Sequence, residues 1–187
     1  AKYRNMDVKA VAADPEAMDM GKRLFQTYCM QCHGADARGA KGFPNLTDND
    51  WLGGDGSPEY IKTTIAQGRI GVMTPFKDIL SEEQIRDVAH YVRSLSGLSH
   101  DAPRAERGAT VFAENCAVCH GPDAKGNPLL GAPNLTDDIW LWGSSEAQII
   151  ANVTNGIQNR MPAFGEFLGE DKVHILTAYV WGLSNKR

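Results

Sequence analysis

The chain has 187 residues, of which 42% are hydrophobic and 22% charged, and its net charge is −4 at pH 7. This composition is typical of a globular protein, and the absence of a basic stripe argues against nucleic acid as a partner. No apolar run approaches the roughly 18 residues of a membrane-spanning helix. Residues 1–13 also lack the apolar segment of a signal peptide. We therefore expect a soluble chain from which any leader or anchor has been removed.

Residues 1–13 show no clear period and are interpreted as an N-terminal arm. Asp14-Pro15-Glu16 then supplies an N-cap, a first-turn proline and an early acidic residue, which together predict the start of a helix. Leu24 and Phe25 carry the apolar face of this helix as far as Cys29.

The helix leads into Cys29-Met30-Gln31-Cys32-His33, and the same pattern recurs at residues 116–120. Two thiols at this spacing can form thioethers to the two vinyl groups of one porphyrin, and the adjacent histidine can bind the iron. The sequence therefore predicts two covalently bound haem c groups. The predicted attachment residues are Cys29, Cys32, Cys116 and Cys119, and the predicted iron ligands are His33 and His120.

Other readings of the cysteines fit less well. A thioredoxin-like dithiol calls for a βαβ pattern, which the sequence lacks. A structural zinc site would have to join two Cys pairs that lie 87 residues apart, each with its own histidine. Because the two motifs use all four cysteines, no disulfide is expected.

Between the first motif and the linker, the pattern predicts a loop, a helix, a second loop and a closing helix. Residues 34–56 are rich in Gly, Asn, Asp and Pro and predict a long loop, in which a backbone carbonyl near Pro44 could accept the second ring N–H of His33. Ser57 is expected to cap a helix that ends near Gly68, and residues 68–76 are expected to form an irregular loop. Ser81-Glu82-Glu83-Gln84 is a capping box that predicts the closing amphipathic helix.

The second half repeats the first, which indicates duplicated domains. Corresponding positions include Gly21 and Gly108, Phe25 and Phe112, Trp51 and Trp140, Met73 and Met161, and Tyr91 and Tyr179. We predict an all-α protein with a first domain at residues 14–97, a linker at 98–103 and a second domain at 104–187. Divided after residue 97, the halves carry net charges of −1 and −3.

A sixth ligand for each iron should recur in both halves, and only Met73 and Met161 do so. Each lies in a Pro-containing loop before the closing helix, 40 residues after His33 and 41 after His120. The other histidines are expected on the surface or on a helix face, since His90, His100 and His174 have no counterpart in the other half. A thioether ligand favours ferrous iron and leaves no open site for substrate, which describes an electron carrier.

Two further pairs of residues have open interpretations. Trp51 and Trp140 could each donate an indole N–H to a haem propionate or simply pack in the core. Arg69 and Arg160 could offset propionate charge or be solvated. The stretch Asp137–Trp142 joins acidic to apolar side chains, so it either docks a basic redox partner or packs between the domains.

The two haem motifs, the repeated Asn-Leu-Thr-Asp turns, Trp-Leu-Gly-Gly at 51–54 and Ala-Tyr-Val at 178–180 resemble the dihaem cytochrome c subunit, subunit III, of cbb3-type cytochrome oxidases. The resemblance extends from about residue 15 to the end. It implies tandem class I cytochrome c domains, each wrapped around one haem, with Met73 serving the first haem and Met161 the second.

The resemblance also implies a place in a respiratory chain. Such subunits are periplasmic, lie at the outer face of the bacterial inner membrane, and relay electrons from a soluble donor cytochrome to the catalytic subunit. The family's subunit carries an N-terminal membrane helix, which this sequence does not show, so either the chain is a soluble fragment of a protein with an N-terminal anchor, as we expect, or the family assignment is too narrow. A soluble c4-type dihaem carrier is the nearest alternative. A dihaem peroxidase is an alternative of another class, against which the paired methionines argue.

Overall fold

A computed structural model describes residues 2–185 of the chain, and it is mostly helical. Its helices are α1 Val8–Ala12, α2 Pro15–Tyr28, α3 Met30–His33, α4 Pro58–Gln67, α5 Glu82–Leu95, α6 Ala102–Asn115, α7 Ala117–His120, α8 Glu146–Asn155, α9 Gly165–Leu168 and α10 Glu170–Ser184. Two short strands, β1 Arg69–Met73 and β2 Ile157–Met161, pair with each other.

The predicted helix starts are confirmed at the level of individual hydrogen bonds. The Asp14 carboxylate accepts the amide protons of Glu16 and Ala17 at the start of α2. Ser57 caps α4, which ends at Gly68 as predicted, and Ser81 with Gln84 forms both bonds of the capping box that starts α5. Each cap satisfies amide groups that the first helical turn leaves without partners.

The two strands correct the expectation that the chain is all-α and that irregular loops contain both methionines. β1 occupies part of the segment 68–76, which its Gly and Pro content predicts to be a loop. A strand of five residues is stabilised by its partner strand, and that partner lies more than 80 residues away in sequence. Local sequence patterns therefore carry no signal for it.

The chain divides into two compact units that do not follow the two sequence repeats. Unit 1 comprises Ala1–Ile70 and Arg160–Arg187, and unit 2 comprises Gly71–Asn159. The closing helix of the first repeat, α5, therefore belongs to the unit that contains the second haem motif. The closing helix of the second repeat, α10, belongs to the unit that contains the first motif.

This division differs from the predicted domains at 14–97 and 104–187, whose outermost residues 186 and 187 lie outside the described part of the chain. The physical reason is the short connection between α5 and α6. Only six residues, 96–101, separate the two helices, and connections of this length favour helices that are neighbours in space.

Unit 1 has its core where α2 packs against α10. Phe25 is buried there and meets the Tyr179 ring at a centroid distance of 5.5 Å. The predicted arm is ordered in this unit, because α1 packs on α10 and buries Tyr3 and Val11 beside Ile175.

Unit 2 repeats this arrangement with α6 packed against α5. Phe112 is buried and meets the Tyr91 ring at 5.2 Å. The core continues through Ile149 and Val153 of α8. Each unit thus contains one haem motif, one long loop and one closing helix.

Candidate haem-binding sites

Each Cys-x-x-Cys-His segment forms a tight turn at the end of a long helix. In unit 1 the His33 amide donates to the Cys29 carbonyl at 3.0 Å, and in unit 2 the His120 amide donates to the Cys116 carbonyl at the same distance. The turn stops at Gly34 and Gly121, whose φ angles of 79° and 80° lie in the region that favours glycine. Both thiols of each motif are therefore held on one helical turn.

None of the four cysteines is in a disulfide. The first of each pair lies deeper than the second: Cys32 and Cys119 are exposed, whereas burial, together with the neighbouring thiol, raises the pKa of Cys29 and Cys116 to about 11. At neutral pH the unattached Cys29 and Cys116 side chains are therefore protonated thiols.

The two motif histidines are buried and are oriented by the loops that follow them. The Nδ1 atom of His33 lies 3.1 Å from the Pro44 carbonyl oxygen, and that of His120 lies 3.1 Å from the Pro133 carbonyl oxygen. Burial lowers the pKa of each ring, although the hydrogen bond opposes the shift. The expectation of a carbonyl partner near Pro44 is confirmed.

A carbonyl can only accept a hydrogen bond, so Nδ1 must carry the proton in both rings. In a neutral imidazole the lone pair is then on Nε2, which is the form that binds a metal ion. The proline carbonyl thus fixes both the tautomer and the direction of the ring.

The loops contain a matched pair of residues that sequence reasoning missed. Ala37 and Ala124 are fully buried and have φ angles of 62° and 59°, which are unusual for residues other than glycine. Each carbonyl accepts an amide hydrogen bond from the leucine that follows the proline, Leu46 or Leu135, at 2.8 Å. The only sequence signal was the shared Gly-x-Asp-Ala pattern after each motif.

Met73 and Met161 end the two strands, and both face inward. The segment after Met73 is bound to unit 2, since the Phe76 amide donates to the Val153 carbonyl at 2.9 Å, and Met73 packs against the core of that unit. The segment after Met161 is bound to unit 1, since the Phe164 amide donates to the Ile65 carbonyl at 2.9 Å.

The resemblance places Met73 with His33 and Met161 with His120, whereas the compact units group these residues differently. Met73 lies in the unit of His120, and Met161 lies in the unit of His33. This follows from the exchange of closing helices, because each methionine lies only nine positions before its closing helix.

The tryptophans give the sites polar groups that lack protein partners. Among the described residues, the indole Nε1 atoms of Trp140 and Trp142 are buried without a hydrogen-bond acceptor. Buried N–H groups are rarely left unpaired, so they indicate an acceptor supplied by a ligand. A haem propionate has that chemistry, and the donor set of unit 2 therefore fits a haem.

Arg69 and Arg160 differ in position. The Arg69 guanidinium lies over the Tyr60 ring at 4.2 Å and donates to Thr64, whereas Arg160 lies on the exposed face of β2. Of the two, only Arg69 is turned into its unit.

The remaining histidines are held by backbone groups. His100 is exposed and His174 is half-buried on α10, which agrees with the predicted surface or helix-face positions, and their rings contact the carbonyl oxygens of Leu98 and Met6. His90 is on a helix face but is buried in unit 2, where its Nδ1 accepts the Asp101 amide proton.

The family model described as "Cytochrome C oxidase, cbb3-type, subunit III" matches residues 16–92 and again residues 103–180. Both matches follow the sequence repeats. None of the helices among residues 2–185 is both long and apolar enough to cross a lipid bilayer.

Similar proteins bear names that agree with the family model. The cbb3-type cytochrome c oxidase subunit CcoP of Rubrivivax gelatinosus is 50% identical over 98% of this chain and 60% of its own length. Subunit FixP of Azorhizobium caulinodans is 45% identical over 96% of this chain and 66% of its own length. The chain thus spans about 60% to 66% of the length of these relatives. With the family model matching both repeats, the chain belongs to the subunit III family of cbb3-type cytochrome c oxidases, a family of c-type cytochromes that carry covalently bound haem.

Proposed function

We propose that the chain is a dihaem c-type cytochrome that carries single electrons from a soluble donor cytochrome to the catalytic subunit of a cbb3-type terminal oxidase. The observation that carries the proposal is the buried histidine with its Nδ1–H on a proline carbonyl, which recurs in both units at the end of a Cys-x-x-Cys-His turn. The bound haems supply a reversible one-electron couple, and the protein supplies attachment, orientation and a dry surrounding.

In this proposal the protein is a non-catalytic subunit that works beside the other subunits of a membrane-bound complex, at the periplasmic face of the inner membrane. The names of the relatives support the complex, and the composition supports a protein partner rather than nucleic acid.

We assign the ligands by unit rather than by repeat. Cys29 and Cys32 would hold the first haem, and His33 and Met161 would bind its iron. Cys116 and Cys119 would hold the second, and His120 and Met73 would bind its iron. Supporting contacts are the hydrogen bonds from Phe76 to α8 and from Phe164 to α4, which tie each methionine segment to its unit.

A thioether ligand from either methionine would favour ferrous iron and would leave no open site for a substrate. That combination suits electron transfer and disfavours peroxide chemistry, which needs an open or displaceable ligand. We therefore expect negligible peroxide turnover, and an activity near that of dihaem peroxidases would contradict the proposed function.

The number of haems tests the central claim directly. After denaturation and extraction with acidified acetone, two haems should stay on each chain, because thioether bonds survive a treatment that removes non-covalent haem. Fewer than two haems per chain, or zinc in their place, would refute the dihaem assignment.

The ligand exchange can be tested by giving each haem its own spectrum. A haem attached through one thioether keeps a vinyl group, and its α band moves to longer wavelength. Cys116→Ala therefore labels the second haem, and Cys29→Ala labels the first. Met73→Ala in the Cys116→Ala protein should perturb the shifted band, and in the Cys29→Ala protein it should perturb the unshifted one.

Met161→Ala should give the reverse pattern, and Met6→Ala, which changes an exposed methionine, should leave both bands intact. If Met73→Ala instead affects the first haem, ligation follows the sequence repeats and our assignment by unit is wrong.

A further inference from the structure

The loop after the second haem motif carries two exposed leucines that the first loop lacks. Residues 127–132 form a hairpin closed by hydrogen bonds between Asn127 and Ala132, at 2.9 and 3.1 Å. At its tip, Leu129 is 96% exposed and Leu130 is 54% exposed. We call residues 127–132 the leucine hairpin.

The first repeat offers an internal comparison. There the matching hairpin closes between Ala40 and Phe43, and its tip is Lys41-Gly42. The second repeat is longer by two residues at this point, and it has two leucines where the first has a lysine. The first hairpin has one exposed apolar side chain, Phe43 at its base, which is 38% exposed, so the pair of exposed leucines at the tip is specific to unit 2.

The leucine hairpin is ordered and lies next to the haem motif. The Asn127 side chain accepts the Leu129 amide proton at 3.0 Å, and the Leu130 amide donates to the Asn127 carbonyl at 3.1 Å. Just before the hairpin, the Gly126 amide donates to the His120 carbonyl at 2.8 Å. The Leu129 backbone, three residues further on, can be no more than about 11 Å from that of Gly126.

The surroundings of the leucine hairpin are acidic. Unit 2 has 11 acidic and 6 basic side chains, a net charge of −5, whereas unit 1 has 12 acidic and 13 basic, a net charge of +1. Asp123 and Asp138 are exposed in the same loop, and Lys125 is the one basic side chain of residues 121–145.

The folded core of unit 2 gives no reason for two exposed leucines, because neither belongs to its apolar cluster. Exposed apolar groups that are fixed on an ordered hairpin and surrounded by charge are typical of a site for brief protein contact. The motif residue Val118, 80% exposed, adds a further apolar side chain on α7.

We infer that the leucine hairpin is the docking contact through which a redox protein with a basic surface exchanges electrons with the haem of unit 2. The acidic side chains steer the encounter, and the leucines make the short-range contact. So small a patch favours a weak, short-lived complex, which suits repeated turnover. This inference rests on the proposed function, and it names the unit at which the partner binds.

The test uses the full chain with both haems and a reduced basic c-type cytochrome, mixed in a stopped-flow instrument over a range of salt concentrations. The double variant Leu129→Ser/Leu130→Ser should lower the second-order rate constant by roughly tenfold. Lys41→Ser, at the tip of the matching hairpin of unit 1, is the control and should leave it unchanged.

Charge reversal at Asp123 and Asp138 should flatten the salt dependence, because it removes the charges that attract the partner. An acidic donor cytochrome should react slowly with the wild-type chain and faster with the charge-reversed variant. The single variant Leu129→Gln supports the same comparison if the double variant fails to load its haem.

A second-order rate constant that is unchanged in the leucine variants, or that does not fall as salt is added, would overturn the inference. So would self-association of the wild-type chain that the serine variants abolish, because the hairpin would then bind a second copy. The proposed function fails separately, through a wrong haem count or a chain that no donor reduces.

Discussion

Within each site, single residues prepare the iron ligand before any cofactor binds. The Pro44 and Pro133 carbonyls select the Nδ1-protonated tautomer, and burial favours the neutral ring. Ala37 and Ala124 hold the loops in a left-handed conformation that costs free energy, and such strain is common where a loop must clamp a ligand.

The buried indole N–H of Trp140 should contribute to the stability of the haem-loaded protein. If a propionate accepts its buried N–H, Trp140→Phe should cost the holoprotein about 1.5 kcal/mol, since a hydrogen bond to a charged group is lost. The potential of the haem of unit 2 should also fall, because the propionate charge is less compensated and favours ferric iron. Thermal unfolding and redox titration measure the two effects.

Trp181→Phe is the matched control, since Trp181 lies in unit 1 with Lys9 over its ring. It should leave the potential of the haem of unit 2 unchanged. Equal effects of both substitutions would remove the propionate role from Trp140.

The sequence allowed the candidate site residues to be named, but it did not indicate which of them share a compact unit. Cys-x-x-Cys-His spacing and repeated methionines are local signals, and helix caps such as Ser81 are local too. By contrast, Tyr91 and Tyr179 occupy equivalent positions, as do Gly21 and Gly108, so the contact surfaces of the two closing helices look alike in sequence. The six-residue connection after α5 determines which unit this closing helix joins, because it places α6 beside α5.

At the scale of helices, the two units stabilise the same crossing with different chemistry. In unit 2, Asp87 of α5 is only 3% exposed and accepts hydrogen bonds from Arg104 and Arg107 of α6. The equivalent positions in unit 1 are Ile175, Ala17 and Met20, which pack as an apolar cluster with the arm. Unit 1 thus uses the arm where unit 2 uses an ion pair.

Asp87→Asn should destabilise unit 2 by about 2 kcal/mol at neutral pH, since it leaves two arginines without their partner. Burial opposes ionisation of Asp87, but Arg107 and Arg104 outweigh it and hold its pKa below the ordinary value. Its stabilising effect is therefore complete above about pH 4 and is lost as the pH falls through the lowered pKa.

Urea denaturation between pH 2 and pH 7, followed by circular dichroism, checks both statements. Asp171→Asn is the control, because the Arg4–Asp171 pair is well exposed and solvent screens it. Its effect should be much smaller. A loss of stability that is the same at every pH would show that Asp87 acts through packing and not through its charge.

The closest approach of the helices depends on glycine. A β-carbon at Gly108 would overlap the Asp87 carbonyl oxygen, and one at Gly21 would press on the Tyr179 side chain. Gly108→Ala should cost unit 2 about 2 kcal/mol, and Gly21→Ala should destabilise unit 1 instead. Hydrogen exchange measured helix by helix distinguishes the two. Gly71→Ala, where a β-carbon meets nothing within 4 Å, is the control.

Across the whole molecule, the exchange of closing helices redistributes charge. Divided by sequence, the halves carry −1 and −3, whereas the compact units carry +1 and −5. Residues 71–97 bring a net charge of −1 to unit 2, and residues 160–187 take a net charge of +1 to unit 1, so negative charge is concentrated around one haem motif. A basic partner would therefore discriminate between the two sites more strongly than the repeats suggest.

Each haem should stabilise the helices of the compact unit to which it is attached. A unit of about 90 residues has a marginal core, so loss of its cofactor should weaken the whole unit. In the double variant Cys116→Ala/Cys119→Ala, which removes the second haem, we expect α5 to lose protection from hydrogen exchange together with α6 and α8, because all three belong to unit 2. α10 should keep its protection, although it lies in the same sequence repeat as the substituted cysteines. In Cys29→Ala/Cys32→Ala the pattern should invert, with α10 weakened and α5 preserved. If each double variant weakens the closing helix of its own repeat instead, the folding units are the repeats, and the ligand assignment by unit fails with them.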